Sequence, residues 1–220
     1  MEGIIFDVDG TLWDSTEEVA RSWNQAISEC KTLNRILTSE QLKKEFGKPL
    51  DEIVDNLFPE LSSAQQAELT VHLYEYENLW IETAPCHIYK NVPETIQRLS
   101  TRYQLFIVSN CQSGYIEAFL KNTGLSEYIT DFTCNGDTGK LKGENIQFIM
   151  ERNSLKSAVY VGDTQGDADA CKIADVPMVY AAYGFGNVQD PWLTIHEFDE
   201  LLQIDFDSHI ANQISSDYNK

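Results

Sequence analysis

Short apolar runs alternate with longer amphipathic stretches over most of the chain. The apolar runs predict β-strands at residues 3–6, 104–108, 131–134, 158–161 and 176–180. Strands that alternate with helices form a parallel, doubly wound sheet with right-handed crossovers. The first strand must join the later four, because a lone strand leaves its backbone groups unpaired. We therefore predict an α/β fold with a Rossmann-like core.

The region from residue 14 to about residue 83 has a different pattern, with helical periodicity and no convincing strand. The predicted helices lie at residues 17–30, 39–46, 50–57 and 64–81. Gly47 and Pro49 interrupt the pattern with residues that break helices. The predicted organisation is an α/β core domain of residues 1–13 plus 87–205, an inserted all-helical cap domain of residues 14–86 and a C-terminal tail of residues 206–220.

The charge balance restricts the possible partners. With 16 basic and 35 acidic residues, the chain has a net charge of -19, which argues against nucleic acid or an anionic membrane, since both need clustered cations. An anionic substrate would need local help from a metal ion or a few lysines. The five cysteines are scattered without a close CxxC pair, so we expect no disulfide framework or zinc site. With neither a signal peptide nor a membrane-spanning run apparent, we expect a cytoplasmic protein.

Two carboxylates, Asp7 and Asp9, directly follow the first predicted strand. Side chains two residues apart on a strand lie on one face, and Gly10 ends the strand where both can project from its carboxyl end. Open parallel sheets have their ligand crevices at that end. A carboxylate pair there can hold a divalent cation while one acid attacks an electrophile and the other moves a proton. The alternative is a solvated acidic turn.

Three later segments also have polar residues just beyond an apolar strand. Ser109 and Asn110 can hydrogen-bond an anion, although Ser-Asn is also ordinary turn chemistry. The glycine-rich loop 138–145 has two lysines, which either offset negative charge at a site or lie on the surface. Asp163 can bind a cation at a strand end, while Asp167 can orient a ligand water or cap the following helix.

Taken together, these clusters resemble the haloacid dehalogenase superfamily over nearly the whole chain. The most specific segments are Asp7-Val8-Asp9-Gly10-Thr11-Leu12 and Gly162-Asp163-Thr164-Gln165-Gly166-Asp167. Residues 92–99, which lead into Ile107-Val108-Ser109-Asn110, are similar to members with a helical cap, such as the phosphoglycolate phosphatases. The resemblance implies phosphotransferase chemistry on a small phosphorylated metabolite.

The resemblance also implies a role for each acid. Asp7 would be the nucleophile that forms an aspartyl phosphate, and Asp9 would be the general acid and base. Mg²⁺ would be bound by the carboxylates of Asp7 and Asp163 and by the backbone carbonyl of Asp9. Asp167 would support this magnesium site.

Contacts to the phosphoryl group follow from the same resemblance. They would come from Gly10, Thr11, Ser109 and Asn110. Lys142 would screen the charge of the phosphoryl group against that of Asp7. We select Lys142 over Lys140 because it stands directly before a predicted helix start. The sequence lacks the commoner Lys-Pro arrangement at this point.

The predicted function is magnesium-dependent phosphomonoester hydrolysis. Asp9 disfavours dehalogenation, because a halide leaving group needs no proton. Relatives that cleave carbon-phosphorus bonds use a lysine of the first cap helix to form a Schiff base. No lysine lies between Thr11 and Cys30, so the resemblance disfavours that reaction. Two alternatives stay open. One is a phosphosugar mutase, although such relatives usually have a histidine or another specific polar residue in the helix after the first motif and residues 13–20 contain no histidine. The other is a non-catalytic regulatory member, although every charged catalytic position is intact.

The predicted cap should set specificity by closing over the site. Lys48, between Gly47 and Pro49, is a candidate to contact a carboxylate or a second phosphate of the substrate, or else a solvated lysine. Trp13 and Trp23 can stack on a base or sugar, but aromatic residues in such helices are more often core. Phosphoglycolate, a nucleotide, a sugar phosphate and pyrophosphate all fit the motifs, and the oligomeric state is equally open.

Overall fold

The structure is a computed structural model that describes residues 1–30, 33 and 35–208. The strands are Gly3–Phe6 (β1), Trp13–Asp14 (β2), His87–Ile88 (β3), Gln104–Ser109 (β4), Asp131–Cys134 (β5), Ala158–Gly162 (β6), Met178–Ala181 (β7) and Leu193–Ile195 (β8). The α-helices are Thr16–Glu29 (α1), Ser39–Lys43 (α2), Leu50–Leu57 (α3), Ser63–Ile81 (α4), Val92–Ser100 (α5), Tyr115–Thr123 (α6), Asn135–Thr138 (α7), Lys142–Arg152 (α8) and Gln165–Ala174 (α9). Short 3₁₀ helices cover Ser126–Tyr128 and Phe198–Gln203.

Six strands form one parallel sheet in the order β5-β4-β1-β6-β7-β8. The first strand lies at its centre, with Phe6 opposite Ile107 on one side and Val161 on the other. All four residues of β1 are buried, as expected for a central strand covered by helices on both faces. This arrangement confirms the predicted doubly wound α/β fold and brings the polar clusters after β1, β4 and β6 to one edge of the sheet.

Helices α1, α2, α3 and α4 form a separate layer. In this layer α4 packs against α1 and α3, and α1 also packs against α2. Trp23, Val54 and Leu73 are among its buried side chains. The start of α4 was predicted correctly: the backbone N–H of Ser62 donates to the side-chain oxygen of Gln65 at 3.0 Å, which satisfies a donor that the helix leaves free.

The sequence did not predict the small ribbon at the base of these helices. Strands β2 and β3 pair in antiparallel fashion, with Trp13 opposite Ile88 and Asp14 opposite His87. Two residues per strand are too few to show an alternating pattern. Within the main sheet, the predicted strand at residues 176–180 begins at Met178, because Pro177 has no N–H to donate to a neighbouring strand.

Packing of the core extends to the start of the predicted tail. Phe206 is fully buried, and its ring centroid lies 6.0 Å from that of Tyr103 and 6.5 Å from that of Trp192. Residues 209–220 of the predicted tail lie outside the described residues. None of the helices that the structure describes is both long enough and apolar enough to cross a membrane.

Candidate active site

The chain turns sharply after β1 and leaves Asp7 at the centre of the sheet edge. The backbone N–H of Asp7 still donates to the carbonyl of Val161 at 2.9 Å, so Asp7 extends the strand pairing by one residue. Gly10 has a φ of 82°, and a Cβ at this position would lie 2.2 Å from Oδ2 of Asp163. The turn therefore requires glycine for its left-handed conformation and for space.

Lys142 is the central cation of the site. It is the first residue of α8, and its Nζ lies 3.0 Å from Oδ1 of Asp7 and 2.5 Å from Oδ1 of Asp167. Burial opposes its charge, but the carboxylates of Asp167 and Asp7 outweigh burial and raise the pKa of Lys142 above its ordinary value. Lys140 instead lies 5.1 Å from the ring centre of Phe148. Of the two lysines in the loop, Lys142 is the one that contacts the acids.

Asp167 is held by hydrogen bonds in the first turn of α9. Its Oδ2 accepts the backbone N–H of Asp163 at 3.1 Å and that of Thr164 at 2.9 Å. Burial favours its neutral form, but the charge of Lys142 and the hydrogen bonds from Lys142 and Thr164 lower the pKa of Asp167 below its usual range. Asp167 thus stays ionised and ties α8 to the turn between β6 and α9.

Asp163 completes a cluster of three buried acids. Its Oδ2 accepts the backbone N–H of Phe185 at 2.7 Å, and one oxygen from each of Asp7, Asp163 and Asp167 lies within 4.8 Å of the others. Burial, together with the charges of Asp167 and Asp7, raises the pKa of Asp163 well above its usual range. A divalent cation would stabilise the ionised form, and carboxylate oxygens are the ligands that Mg²⁺ prefers. The residues present therefore fit Mg²⁺.

Asp9 has a different environment from Asp7. Its Oδ1 accepts the hydroxyl of Ser15 at 2.6 Å and that of Tyr115 at 2.8 Å. Burial raises the pKa of Asp9 to about 8, although the hydrogen bonds from Ser15 and Tyr115 oppose the shift, and the charges of Asp7 and Glu77 increase it. Asp9 is therefore largely protonated at neutral pH, and it can both donate and take back a proton near that pH.

Ser109 and Asn110 lie at the end of β4, beside the end of β1. Ser109 is buried, while Nδ2 of Asn110 donates to the carbonyl of Gly47 at 2.9 Å. The Oδ1 of Asn110 is buried without a hydrogen-bond partner among the described residues. Gly47 has a φ of 94°, so glycine suits the conformation that carries the loop between α2 and α3 over the sheet edge.

These elements line a partly open pocket between the sheet edge and the helical layer. Its lining residues are Asp7, Asp9, Trp23, Phe46, Gly47, Lys48, Leu50, Ile53, Glu77, Ser109, Asn110, Cys111, Gln112 and Tyr115. Lys48 lies at its margin with Nζ 2.8 Å from Oε2 of Glu45. Trp23 lines the pocket, whereas Trp13 is buried edge-on against Phe119, 4.9 Å between ring centroids.

The sequence interpretation did not identify four residues of this site. Ser15 and Tyr115 contact Asp9, Glu77 lines the pocket, and Phe185 donates to Asp163. The sequence did contain a signal for Phe185, which lies between Gly184 and Gly186 shortly after β7. The structure gives the reason for the first of these glycines, because a Cβ at Gly184 would lie 2.4 Å from the carbonyl oxygen of Gly10. Tyr115 and Glu77 reach the site through the packing of helices, which no local sequence motif predicts, whereas Ser15 lies directly before α1 and six residues after Asp9.

Comparison with known proteins shows a family for this chain. The model of the haloacid dehalogenase-like hydrolases matches residues 4–181. The chain is 26% identical to a phosphoglycolate phosphatase of Photobacterium profundum over 91% of this chain and 94% of that protein. It is 27% identical to a phosphoglycolate phosphatase of Aquifex aeolicus over 96% of this chain and 99% of that protein.

A similar structure supports the same fold. The crystal structure of a predicted phosphoglycolate phosphatase from Haemophilus somnus superposes with a TM-score of 0.81, covering 92% of this chain and 97% of that one at 21% identity. The two chains share the parallel sheet and its surrounding helices. The match of the family model over most of the chain, with phosphatases as its named relatives, shows that this protein is an enzyme of the haloacid dehalogenase-like hydrolase family and groups with its phosphatases.

Proposed function

We propose that this enzyme is a magnesium-dependent phosphomonoester hydrolase of a small phosphorylated metabolite, resembling phosphoglycolate phosphatase and acting through an aspartyl phosphate. One observation carries the proposal: a strand-end carboxylate, Asp7, is paired with Lys142 and lies beside a second acid, Asp9, whose pKa is raised to about 8. Burial raises the pKa of Asp7 only to about 6, because Lys142 opposes the shift, so Asp7 is the more acidic of the two. A nucleophile needs to be ionised, while a proton donor needs to be protonated at the working pH.

In the first step Asp7 attacks phosphorus, so that a bond forms between its carboxylate oxygen and phosphorus while the bond to the leaving oxygen breaks. Asp9 donates its proton to the leaving oxygen, and the alcohol departs. Lys142 offsets the negative charge that gathers as the phosphoryl group approaches the carboxylate. The ion pair with Lys142 also opposes the rise in the pKa of Asp7 that burial causes, and so favours the charged, nucleophilic form.

In the second step a water molecule attacks the phosphorus of the aspartyl phosphate. Asp9, now ionised, takes a proton from this water, and the bond between Asp7 and phosphorus breaks to release inorganic phosphate. Ser15 and Tyr115 support both steps, because their hydroxyl groups fix the position of the Asp9 carboxyl. The enzyme thus returns to its starting protonation state.

Residues on the same edge would bind the phosphoryl oxygens and the metal. The proposed phosphate contacts are Gly10, Thr11, Ser109 and Asn110. Mg²⁺ would be held by the carboxylates of Asp7 and Asp163 and by the backbone carbonyl of Asp9, with Asp167 in support. When bound, Mg²⁺ would neutralise phosphoryl charge and orient an oxygen for in-line displacement.

The helical layer would act as a cap that excludes water and selects the substrate. The pocket lies between the strand ends and this layer, and the matched relatives are named phosphoglycolate phosphatase, which supports a small phosphate ester as substrate. Lys48 lines the same pocket and is within reach of the organic part of a substrate, although its ammonium group is paired with Glu45. All five cysteines are free thiols, which supports the proposal of a reducing, cytoplasmic environment.

The test is phosphate release from p-nitrophenyl phosphate with and without Mg²⁺. Asp7→Asn should abolish turnover, and chelation of the metal should do the same. Acid-quenched wild-type enzyme should contain a phosphoryl group on the peptide that includes Asp7, as mass spectrometry would show. Full activity in Asp7→Asn would contradict the mechanism, and absence of turnover on a panel of phosphate esters would favour a non-catalytic role.

A further inference from the structure

Glu77 is a buried acid in the pocket that the proposed mechanism does not use. It lies on α4 with 3% of its surface exposed, and it lines the same pocket as Asp7 and Asp9. Its Oε2 accepts the indole N–H of Trp23 at 2.6 Å, and the side chain of Gln112 is a second hydrogen-bond partner. Within the described residues, no lysine or arginine forms an ion pair with it. Glu77 is therefore an acid held by neutral donors alone.

Burial of such a group is costly. A carboxylate removed from water without a cation loses several kcal/mol of solvation, of which neutral hydrogen bonds return a part. The same burial raises the pKa of Glu77 to about 7, against the lowering effect of Gln112 and Trp23. An acid in this situation gains stabilisation from any ligand that brings a positive charge or a hydrogen-bond donor to it.

None of the other charged groups among the described lining residues provides Glu77 with a positive charge. Asp7 and Asp9 lie at the end that would take the phosphoryl group. Lys48 is the cation among the described lining residues, but its ammonium group lies 2.8 Å from Glu45 and its side chain is 38% exposed. The charge of Lys48 is thus already balanced. If the organic part of a substrate had a carboxylate, it would lie near Glu77, and no unpaired cation among the described lining residues would neutralise the two negative charges.

We propose that Glu77 selects phosphate esters whose organic part has a hydrogen-bond donor, an ammonium or hydroxyl group, and discriminates against esters with a carboxylate there. This inference rests on the proposed function, because it assigns the substrate class of the same pocket. Two carboxylates repel each other strongly in a site with little water. A site built to bond a polar group also rejects an analogue that lacks it, because its own acceptor is then left unpaired.

A series of two-carbon phosphate esters tests the proposal, since its members differ mainly in the terminal group. The compounds are ethanolamine phosphate, 2-hydroxyethyl phosphate, ethyl phosphate and phosphoglycolate, each measured as kcat/KM with Mg²⁺. For the wild-type enzyme we expect the ammonium and hydroxyl esters to exceed ethyl phosphate by about tenfold or more. Phosphoglycolate should fall about a hundredfold below ethanolamine phosphate.

Two variants separate recognition from structure. Glu77→Gln should reduce the ratio of ethanolamine phosphate to ethyl phosphate by about tenfold and should raise the ratio of phosphoglycolate to ethyl phosphate, because the repelling charge is gone. Glu75→Gln makes the same charge change at an exposed position of α4. It should leave all four kcat/KM values as in the wild type.

Two results would overturn the inference while leaving the proposed function intact. One is a wild-type enzyme that hydrolyses phosphoglycolate at least as efficiently as the ammonium and hydroxyl esters. The other is a Glu77→Gln variant that lowers kcat/KM equally for every ester, as a structural role would. The wild-type series needs no variant, so it decides the question even if Glu77→Gln fails to fold. Absence of turnover on every ester, including p-nitrophenyl phosphate, would overturn the proposed function and this inference together.

Discussion

The pocket has two sides that differ in how their charges are balanced. The floor is the charged cluster around Asp7: Asp7 itself lines the pocket, and Asp163, Asp167 and Lys142 lie next to it outside the pocket lining. Each of these residues is tied to another by an ion pair, a hydrogen bond or the shared acidic cluster. The wall consists of residues from the helical layer, among them Trp23, Gly47, Lys48 and Glu77. Ion pairs and hydrogen bonds hold the side chains of the floor in place. The wall is mainly apolar, and its charged residues, Lys48 and Glu77, do not pair with each other. The floor therefore determines the reaction and the wall determines which molecule undergoes it.

The largest effect should come from removing the cation of the floor. Lys142→Ala leaves the carboxylates of Asp7 and Asp167 buried without their partner, which should lower the free energy of unfolding by about 3–5 kcal/mol. Phosphatase activity should fall by at least about a thousandfold. Lys140→Ala is the matched control, since Lys140 contacts the ring of Phe148 instead. Equal effects of the two substitutions, in urea unfolding and phosphate release, would show that the floor does not depend on this lysine.

Gly10 and Gly47 both have positive φ, but substitutions there should have different effects, because Gly10 lies against Asp163 of the floor whereas Gly47 lies in the wall. Gly10→Ala would place a Cβ 2.2 Å from the carboxylate of Asp163, and we expect a loss in kcat of about a hundredfold from the displaced acid. In Gly47→Ala the nearest atom, on Thr164, is 3.5 Å away, so the cost is the left-handed conformation alone, about 1–2 kcal/mol. Steady-state kinetics should show the first change mainly in kcat and the second mainly in KM. The reverse pattern would contradict this comparison.

The pH dependence of stability should distinguish the acid of the wall. The folded state raises the pKa of Glu77 from 4.5 to about 7, so it binds this proton more tightly than the unfolded state does. The contribution to stability is complete below about pH 4.5 and is lost as the pH rises to about 7, a difference of about 3 kcal/mol. Glu77→Gln cannot ionise and should flatten this part of the profile in urea unfolding of the metal-free protein. If the stability of Glu77→Gln fell between pH 4.5 and about pH 7 as steeply as that of the control Glu75→Gln, Glu77 would not have a raised pKa in the folded protein.

The smallest effect should come from Lys48→Ala. Lys48 forms a partly exposed ion pair with Glu45 at 2.8 Å, and such pairs contribute about 0–1 kcal/mol. We expect unchanged stability within that range and a change in KM of about threefold or less, measured on ethanolamine phosphate. A rise in KM of a hundredfold without a change in kcat would instead assign to Lys48 the main role in the wall.

The sequence predicted the floor far better than the wall. Asp7, Asp9 and Asp163 follow apolar strands directly, and the carboxyl ends of neighbouring parallel strands meet at one edge. Lys142 was identified from its place before a helix, and the structure brings it to Asp7. These residues are positioned by short segments of backbone, so a local pattern contains most of the information.

The wall could not be predicted in the same way. Glu77 lies in the C-terminal part of α4, and its side chain faces the pocket only because α4 packs against α1. Tyr115 reaches Asp9 from the first turn of α6. Both positions depend on how helices pack together, which the order of apolar and polar residues leaves open. The β2–β3 ribbon was missed for a simpler reason, since its strands have two residues each.

The central place of β1 has a consequence for biosynthesis. The ribosome makes β1 well before β4 and β6, which are its two neighbours in the sheet. Thr11 likewise contacts partners 152 and 172 residues further along the chain. Contacts so distant in sequence form slowly, since a long loop must close first. The ribosome therefore synthesises Asp7 and Asp9 well before it synthesises Lys142, which pairs with Asp7 and Asp167, and Phe185, whose backbone N–H donates to Asp163. The acidic cluster of Asp7, Asp163 and Asp167 can therefore form together with the cation and the donor that stabilise it.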